Sequence, residues 1–200
     1  EEVLGAGGRL KVVARAGIGV DNVDLATASL KGILVINAPD GNIITTAEHT
    51  IAMMFSLARK IPSAVHSVRG GLWERSKFVG SELYSKVLGV VGLGRVGSTV
   101  ARLATGLEMN VIAYDPFISG EAAEKRGVKP VSLDELLEQS DYVTLHVPKT
   151  PETAGLIGAA EIAKMRRGAR IINCARGGLL DEAAAAEALD SGQLACVALD

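Results

Sequence analysis

Gly92-Leu93-Gly94-Arg95-Val96-Gly97 follows the apolar run Lys86-Val87-Leu88-Gly89-Val90-Val91 and precedes a stretch, Ser98 to Leu107, with apolar residues at helical spacing. The run reads as a buried strand and the stretch as a helix. The next apolar run, Val111-Ile112-Ala113-Tyr114, ends on Asp115. That acid stands roughly 20 residues beyond the glycines, where dinucleotide-binding folds place the group that receives a ribose. Glycines alone decide little in a chain that has 23 of them in 200 residues. Strand, glycine turn, helix, second strand and terminal acid in this order predict a dinucleotide-binding α/β unit. Gly92 permits the tight turn, Gly94 lets backbone approach a pyrophosphate, and Gly97 allows close helix–strand packing. The helix start adds unpaired N–H groups and the positive end of a dipole. Asp115 can accept hydrogen bonds from both ribose hydroxyls and would repel a 2′-phosphate, and Pro116 and Phe117 supply no cation to offset it. NAD is therefore expected rather than NADP.

Composition sets the outer limits. Apolar residues make up 48% and charged residues 22%, the usual balance of a globular protein. A net charge of -2 gives no support to a nucleic-acid or membrane-surface partner. The apolar stretches are broken well before the roughly 20 residues that span a bilayer. Glu1-Glu2 opens the chain without the charge or apolar run of a secretory signal. Cys174 and Cys196 each lie in an apolar run, read as reduced buried thiols, and with no signal segment a cytoplasmic location is expected. No Cys/His spacing suggests a metal site.

Apolar runs alternate with amphipathic stretches along the whole chain, the pattern of a parallel sheet flanked by helices. Lys11-Val12-Val13-Ala14 enters the loop Arg15-Ala16-Gly17-Ile18-Gly19-Val20-Asp21-Asn22, and a short helix and the strand Ile33-Leu34-Val35-Ile36 complete one βαβ unit. Thr45 and Glu48 have capping-box spacing at the head of a long helix, with Ala47, Ile51, Met54, Phe55 and Ala58 on one face. Pro62 marks its end or a kink. Residues 69–85 are Gly-rich and read as an excursion without regular structure. Beyond it, strands are expected near 87–91, 111–115, 128–131, 142–147, 170–174 and 195–199. Six parallel strands make a doubly wound (Rossmann) sheet, with ligand at the strands' carboxyl ends.

A second marker, Asn173-Cys174-Ala175-Arg176-Gly177-Gly178, ends one of those strands. A guanidinium there can grip a carboxylate bidentately and polarise an adjacent carbonyl. Pairing of Arg176 with Asp181 or Glu182 is the plainer alternative. Asp200, after Ala198-Leu199, lies at the same expected edge and could bind a nicotinamide amide or cap a following helix.

These segments, with Val23-Asp24, Asn37-Ala38-Pro39, Ala47-Glu48-His49, Trp73-Glu74-Arg75, Tyr114-Asp115-Pro116, His146-Val147-Pro148 and Leu179-Leu180-Asp181-Glu182, run in the order of a known family. The chain resembles the NAD-dependent D-isomer-specific 2-hydroxyacid dehydrogenases. Its Arg15 loop and Trp73 region are most similar to the branch that oxidises 3-phospho-D-glycerate in the first step of serine biosynthesis. The resemblance implies a piece of a flavodoxin-like substrate domain over residues 1–40 and the NAD-binding domain over 41–200. It implies that Arg176 is the catalytic arginine, and that Arg15, Ala16, Gly17 and Ile18 receive the substrate carboxylate, with Ile18 also at the cofactor. Arg95 and Val96 would meet the pyrophosphate, and Asp115 and Pro116 the adenosine. Val147, Cys174, Ala175 and Arg176 would line the cofactor channel, and Asp200 would hold the carboxamide. Residues 69–84 resemble the family's dimer contact, so a homodimer or higher homo-oligomer is expected.

One departure limits this picture. The family's general acid/base is a histidine paired with a glutamate, and the resemblance places neither within these 200 residues. His49 lies on the long helix, His66 follows it and is expected to face solvent, and His146 sits in the cofactor-channel motif. The 200-residue chain is therefore expected to bind NAD with little turnover, since losing the proton shuttle alone costs about 10²–10⁴-fold. Another D-2-hydroxyacid dehydrogenase of glyoxylate or lactate type is one alternative reading. An NAD-sensing corepressor of the same fold is another.

Overall fold

A computed structural model describes residues 2–200, which divide into two compact units, the first running to Ile43 and the second from Ile44 to Asp200. The first unit is small. Strands β1 (Val12–Arg15) and β2 (Leu34–Asn37) pair in parallel, joined through helix α2 (Leu25–Leu30), with helix α1 (Glu2–Ala6) before them. Asp24 caps α2 by accepting the Thr27 N–H, which holds its carboxyl below the usual range. Leu4, Ala28 and Ile33 form its small core.

The second unit opens with the long helix α3 (Ile43–Arg59) and α4 (Ile61–Arg69), followed by a short 3₁₀ turn at Arg75–Phe78. Then come β3 (Val87–Val91), α5 (Arg95–Gly106), β4 (Asn110–Tyr114), α6 (Gly120–Glu124), β5 (Lys129–Pro130) and α7 (Leu133–Gln139). β6 (Tyr142–Leu145), α8 (Ala159–Lys164), β7 (Ala169–Asn173), α9 (Glu182–Asp190) and β8 (Leu194–Leu199) complete it. The six strands pair in parallel in the order β5-β4-β3-β6-β7-β8. This order makes the doubly wound sheet that the sequence led us to expect, with the switch point between β3 and β6.

Strand side chains alternate between two cores, as a sheet covered on both faces requires. Leu88, Val90, Val111, Ala113, Tyr142 and Ile172 face one core, shared with Met54 and Ala58 of α3 and Val100 and Ala104 of α5. Val91, Ile112, Val143, Leu145 and Ile171 face the other, shared with Leu136, Leu137, Ile162, Ala185 and Ala188 of α7, α8 and α9. At Gly89 a Cβ would lie 2.5 Å from a Leu136 methyl, so α7 packs there without room for a side chain.

The structure corrects several local expectations. The long helix starts at Ile43, which puts Thr45 and Glu48 inside its first turns rather than at a cap. Phe55 is exposed, and Thr50 is buried beside Ala47 and Met54, its hydroxyl satisfied by donating back to the Thr46 carbonyl at 2.9 Å. The break before Pro62 falls at Lys60, in the left-handed region at φ 53, and a second helix, α4, then carries His66. β5 is only two residues long: before it the Val128 N–H goes to Ala123, while after it the Val131 N–H still bonds the Ala113 carbonyl of β4. Cys174 is buried, but Cys196 is half-buried; both are free thiols.

Candidate functional site

Four loops converge on the carboxyl edge of the six-stranded sheet, after β3, β4, β6 and β7, and β8 ends there at Asp200. The glycine turn after β3 is built by close contacts. Gly92 has φ 93, and a Cβ on it would lie 2.7 Å from the His146 carbonyl oxygen and from Val147 Cγ1, so the turn presses against the chain leaving β6. A Cβ on Gly97 would stand 1.9 Å from the Gly92 oxygen. Protein packing alone thus requires both glycines.

Gly94 differs. It is exposed, its φ of -66 suits any residue, and a Cβ there would meet nothing within 4 Å. It also caps the N-terminus of α5 without a side-chain hydrogen bond, and the first residue of that helix is Arg95. A cation at the positive end of a helix is unfavourable on its own, and an anion there relieves it. An open glycine, the N–H groups of a helix start and a basic residue together fit a diphosphate.

Asp115, half-buried just after β4, accepts the Leu93 N–H at 2.7 Å on one oxygen and the Phe117 N–H at 2.9 Å on the other. The carboxylate is thereby tied to the glycine turn, and its remaining lone pairs are available to ribose hydroxyls. Pro116 beside it is exposed. Arg126, from the turn after α6, reaches the same place: its Nη1 donates to the Leu93 carbonyl at 2.6 Å and lies 3.1 Å from Ser98 Oγ. Sequence spacing gave no sign of this contact, since 33 residues separate the partners.

The Arg176 turn is shaped by Asn173, buried at 5% exposure. Its amide nitrogen donates to the Arg176 carbonyl at 2.8 Å, and its oxygen accepts the Ala175 N–H at 3.1 Å. Arg176 is half-buried, and its Nη1 donates to the Ala175 carbonyl at 2.7 Å. The Asp181 carboxylate is engaged in capping α9, accepting the Ala183 and Ala184 N–H groups. Val147 and Ala175 are half-buried beside these turns. Burial pushes the Cys174 thiol up, against a weaker opposing hydrogen bond to Thr50, so it stays protonated at neutral pH. Asp200 is open, with His49 Nε2 at 3.8 Å from its Oδ1.

His146 Nε2 lies 2.9 Å from Thr144 Oγ1, and burial of the ring pushes its pKa down to about 4. It is neutral at physiological pH. His66 is exposed, as expected. Among the described residues no cluster of His, Cys, Asp or Glu could hold a metal ion, and no helix is long and apolar enough to cross a membrane.

The loop at Arg15–Ile18 belongs to the first unit, at the carboxyl end of β1. Asn37 donates to the Ile18 carbonyl at 2.7 Å, and the Ala38 N–H to the Gly17 carbonyl at 3.1 Å, so the end of β2 fixes the loop. Gly17 is buried, and Arg15 Cζ lies 3.9 Å from the position its Cβ would take.

Residues 51–200 match the family described as D-isomer specific 2-hydroxyacid dehydrogenase, NAD binding domain. The D-3-phosphoglycerate dehydrogenase of Archaeoglobus fulgidus is 56% identical over 199 residues, and that of Synechocystis 52% over 200. The chain spans 38% and 36% of their lengths, respectively, so it matches little more than a third of these curated relatives. D-lactate dehydrogenase from Aquifex aeolicus, solved with NAD and lactic acid, superposes with a TM-score of 0.87 at 36% identity, covering all of this chain and 60% of that one. A Granulicella formate dehydrogenase gives a TM-score of 0.92 at 30% identity, over 100% of this chain and 54% of the other.

Proposed function

Because the chain belongs to the D-isomer-specific 2-hydroxyacid dehydrogenases and carries their NAD-binding domain, we propose that the whole protein oxidises 3-phospho-D-glycerate to 3-phosphooxypyruvate, the first step of serine biosynthesis. The observation that carries this reading is Arg176, held by Asn173 on the same sheet edge as the open Gly94 turn. Identity above 50% to two phosphoglycerate dehydrogenases supports the choice of hydroxyacid.

NAD supplies the hydride acceptor when bound. The Gly94–Gly97 end of the turn, with Arg95 and Val96, would hold its diphosphate, because the Gly92 and Leu93 N–H groups are already taken by the Tyr114 carbonyl and Asp115. Asp115 takes the adenosine ribose beside Pro116. Val147, Cys174 and Ala175 exclude water from the nicotinamide side, and Asp200 takes the carboxamide. Arg176 grips the substrate carboxylate and polarises the oxygen at C2, stabilising charge as it develops there. The first unit is read as part of the substrate domain, with Arg15, Ala16, Gly17 and Ile18 as its substrate-binding loop. A neutral His146 with a pKa of about 4 is a poor proton shuttle at pH 7, and the resemblance to the family implies a His–Glu pair for the acid/base role.

Ile61, Val65, Val68, Leu72, Trp73 and Val79 expose apolar side chains along α4 and the excursion. A second copy of the chain covers them in this reading. Trp73→Glu would then shift the protein toward monomer in sedimentation. A lactate-type activity is the second reading, favoured by the likeness to the Aquifex enzyme solved with lactic acid. Initial rates of NAD reduction by the full-length protein with 3-phospho-D-glycerate, D-glycerate and D-lactate separate the two. A kcat/KM highest for D-lactate would reject the phosphoglycerate assignment.

A further inference from the structure

We propose that Arg126 is a positioning residue of the diphosphate-binding turn: it locks the Leu93–Gly94 peptide so that the Gly94 N–H faces the ligand. The proposal rests on the NAD reading above. Arg126 Nη1 donates to the Leu93 carbonyl at 2.6 Å, and Ser98 Oγ donates to the same oxygen at 2.7 Å. On the other side of the residue, the Leu93 N–H is taken by Asp115 at 2.7 Å.

A trans peptide is planar, so its carbonyl and its N–H point in opposite directions. No described peptide bond is cis. With the Leu93 oxygen drawn toward Arg126 and Ser98, the Gly94 N–H points away from both. The Cβ position of Gly94 opens onto space free of protein atoms for 4 Å. A peptide next to glycine has little steric resistance to flipping, so its direction depends on what holds the carbonyl. Ser98 offers a neutral donor, and Arg126 adds a charge-assisted one, which is the stronger kind. In this proposal Arg126 acts through the backbone donor and not by contact with the cofactor. It also links the turn to the segment after α6, which comes from a different crossover of the sheet.

Titration calorimetry on the 200-residue chain with NAD, ADP and adenosine tests this. For Arg126→Ala we expect NAD and ADP to bind about tenfold more weakly, the equivalent of one charge-assisted hydrogen bond. Adenosine affinity should not change, and the loss should be the same at low and high salt. Ser98→Ala should show the same pattern with a smaller loss. Undiminished NAD and ADP binding in Arg126→Ala would overturn the proposal. So would a loss shared by adenosine, which indicates general damage, or one that vanishes at high salt, which indicates a direct charge on phosphate. If Arg126→Ala does not fold, Arg126→Lys, which keeps one donor nitrogen, is expected to bind ADP more weakly than wild type but by less than about tenfold, and no difference from wild type or a salt-sensitive loss overturns the idea. Failure of the wild-type chain to bind NAD would instead reject the underlying cofactor reading.

Discussion

The turn after β3 and the turn after β7 lie on the same edge of one sheet but are built in opposite ways. In the first, glycines let backbone meet backbone: Gly97 lies under the Gly92 carbonyl, and Gly92 packs on His146 and Val147. Its working groups are N–H donors, and side chains from elsewhere, Asp115 and Arg126, hold it from outside. In the second, one buried side chain, Asn173, shapes the turn from within, and the proposed working group is the Arg176 guanidinium. A backbone site suits an anion common to every substrate cycle. A side-chain site suits the reacting carbon, where charge changes during the reaction.

The largest expected effect separates chemistry from cofactor binding. In the full-length protein, Arg176→Gln should lower kcat/KM by about 10²–10³-fold, in the range seen when a charge-stabilising donor is removed. NAD affinity measured by fluorescence should change far less. A matching loss in NAD affinity would mean that the two turns do not divide the work as described.

Within the first turn the glycines should behave differently from one another. Gly97→Ala places a methyl on the Gly92 carbonyl and should cost about 3 kcal/mol, lowering Tm by roughly 6–12 °C. Gly94→Ala meets no protein atom, so Tm should hold while NAD binding weakens about tenfold, roughly one hydrogen bond. Equal Tm losses in the two variants would contradict the contrast between a packing glycine and a ligand-facing one.

His146 links the first turn to pH. Its folded pKa of about 4 lies below the 6.5 of the free side chain, so between these values the unfolded chain binds more protons. Stability is therefore complete above pH 6.5 and falls as the pH drops toward 4. The loss is at most about 3 kcal/mol, and half-burial of the residue as a whole argues for less. Chemical denaturation at pH 7 and pH 4.5 should show the drop, and His146→Gln should flatten that part of the profile. A variant profile as steep as the wild type's would assign the effect to other groups.

The first turn was legible because its requirements are local: spacing of glycines between a strand and a helix, and an acid at the end of the next strand. The parallel doubly wound sheet followed from the same alternation; β4 and β7 are shifted by a residue, β8 starts a residue earlier, β5 is shorter at both ends and β6 stops at Leu145 rather than at 147. The second turn was legible as Arg-Gly-Gly at a strand end, but its chemistry came through family resemblance. The helical details failed at the edges of the periodic face, where Thr50 is buried with its hydroxyl satisfied by Thr46 and Phe55 is left exposed. Arg126 was invisible because its bond to Leu93 spans a crossover, and no short pattern encodes such a pairing.

The central claim is that the Gly92–Gly97 turn and Asp115 form an NAD site. Calorimetric titration of the 200-residue chain with NAD and NADP tests it most directly. The account predicts one site that prefers NAD, with the preference reduced in Asp115→Ala. No binding of either nucleotide, or equal affinity for both in the wild-type chain, would contradict it.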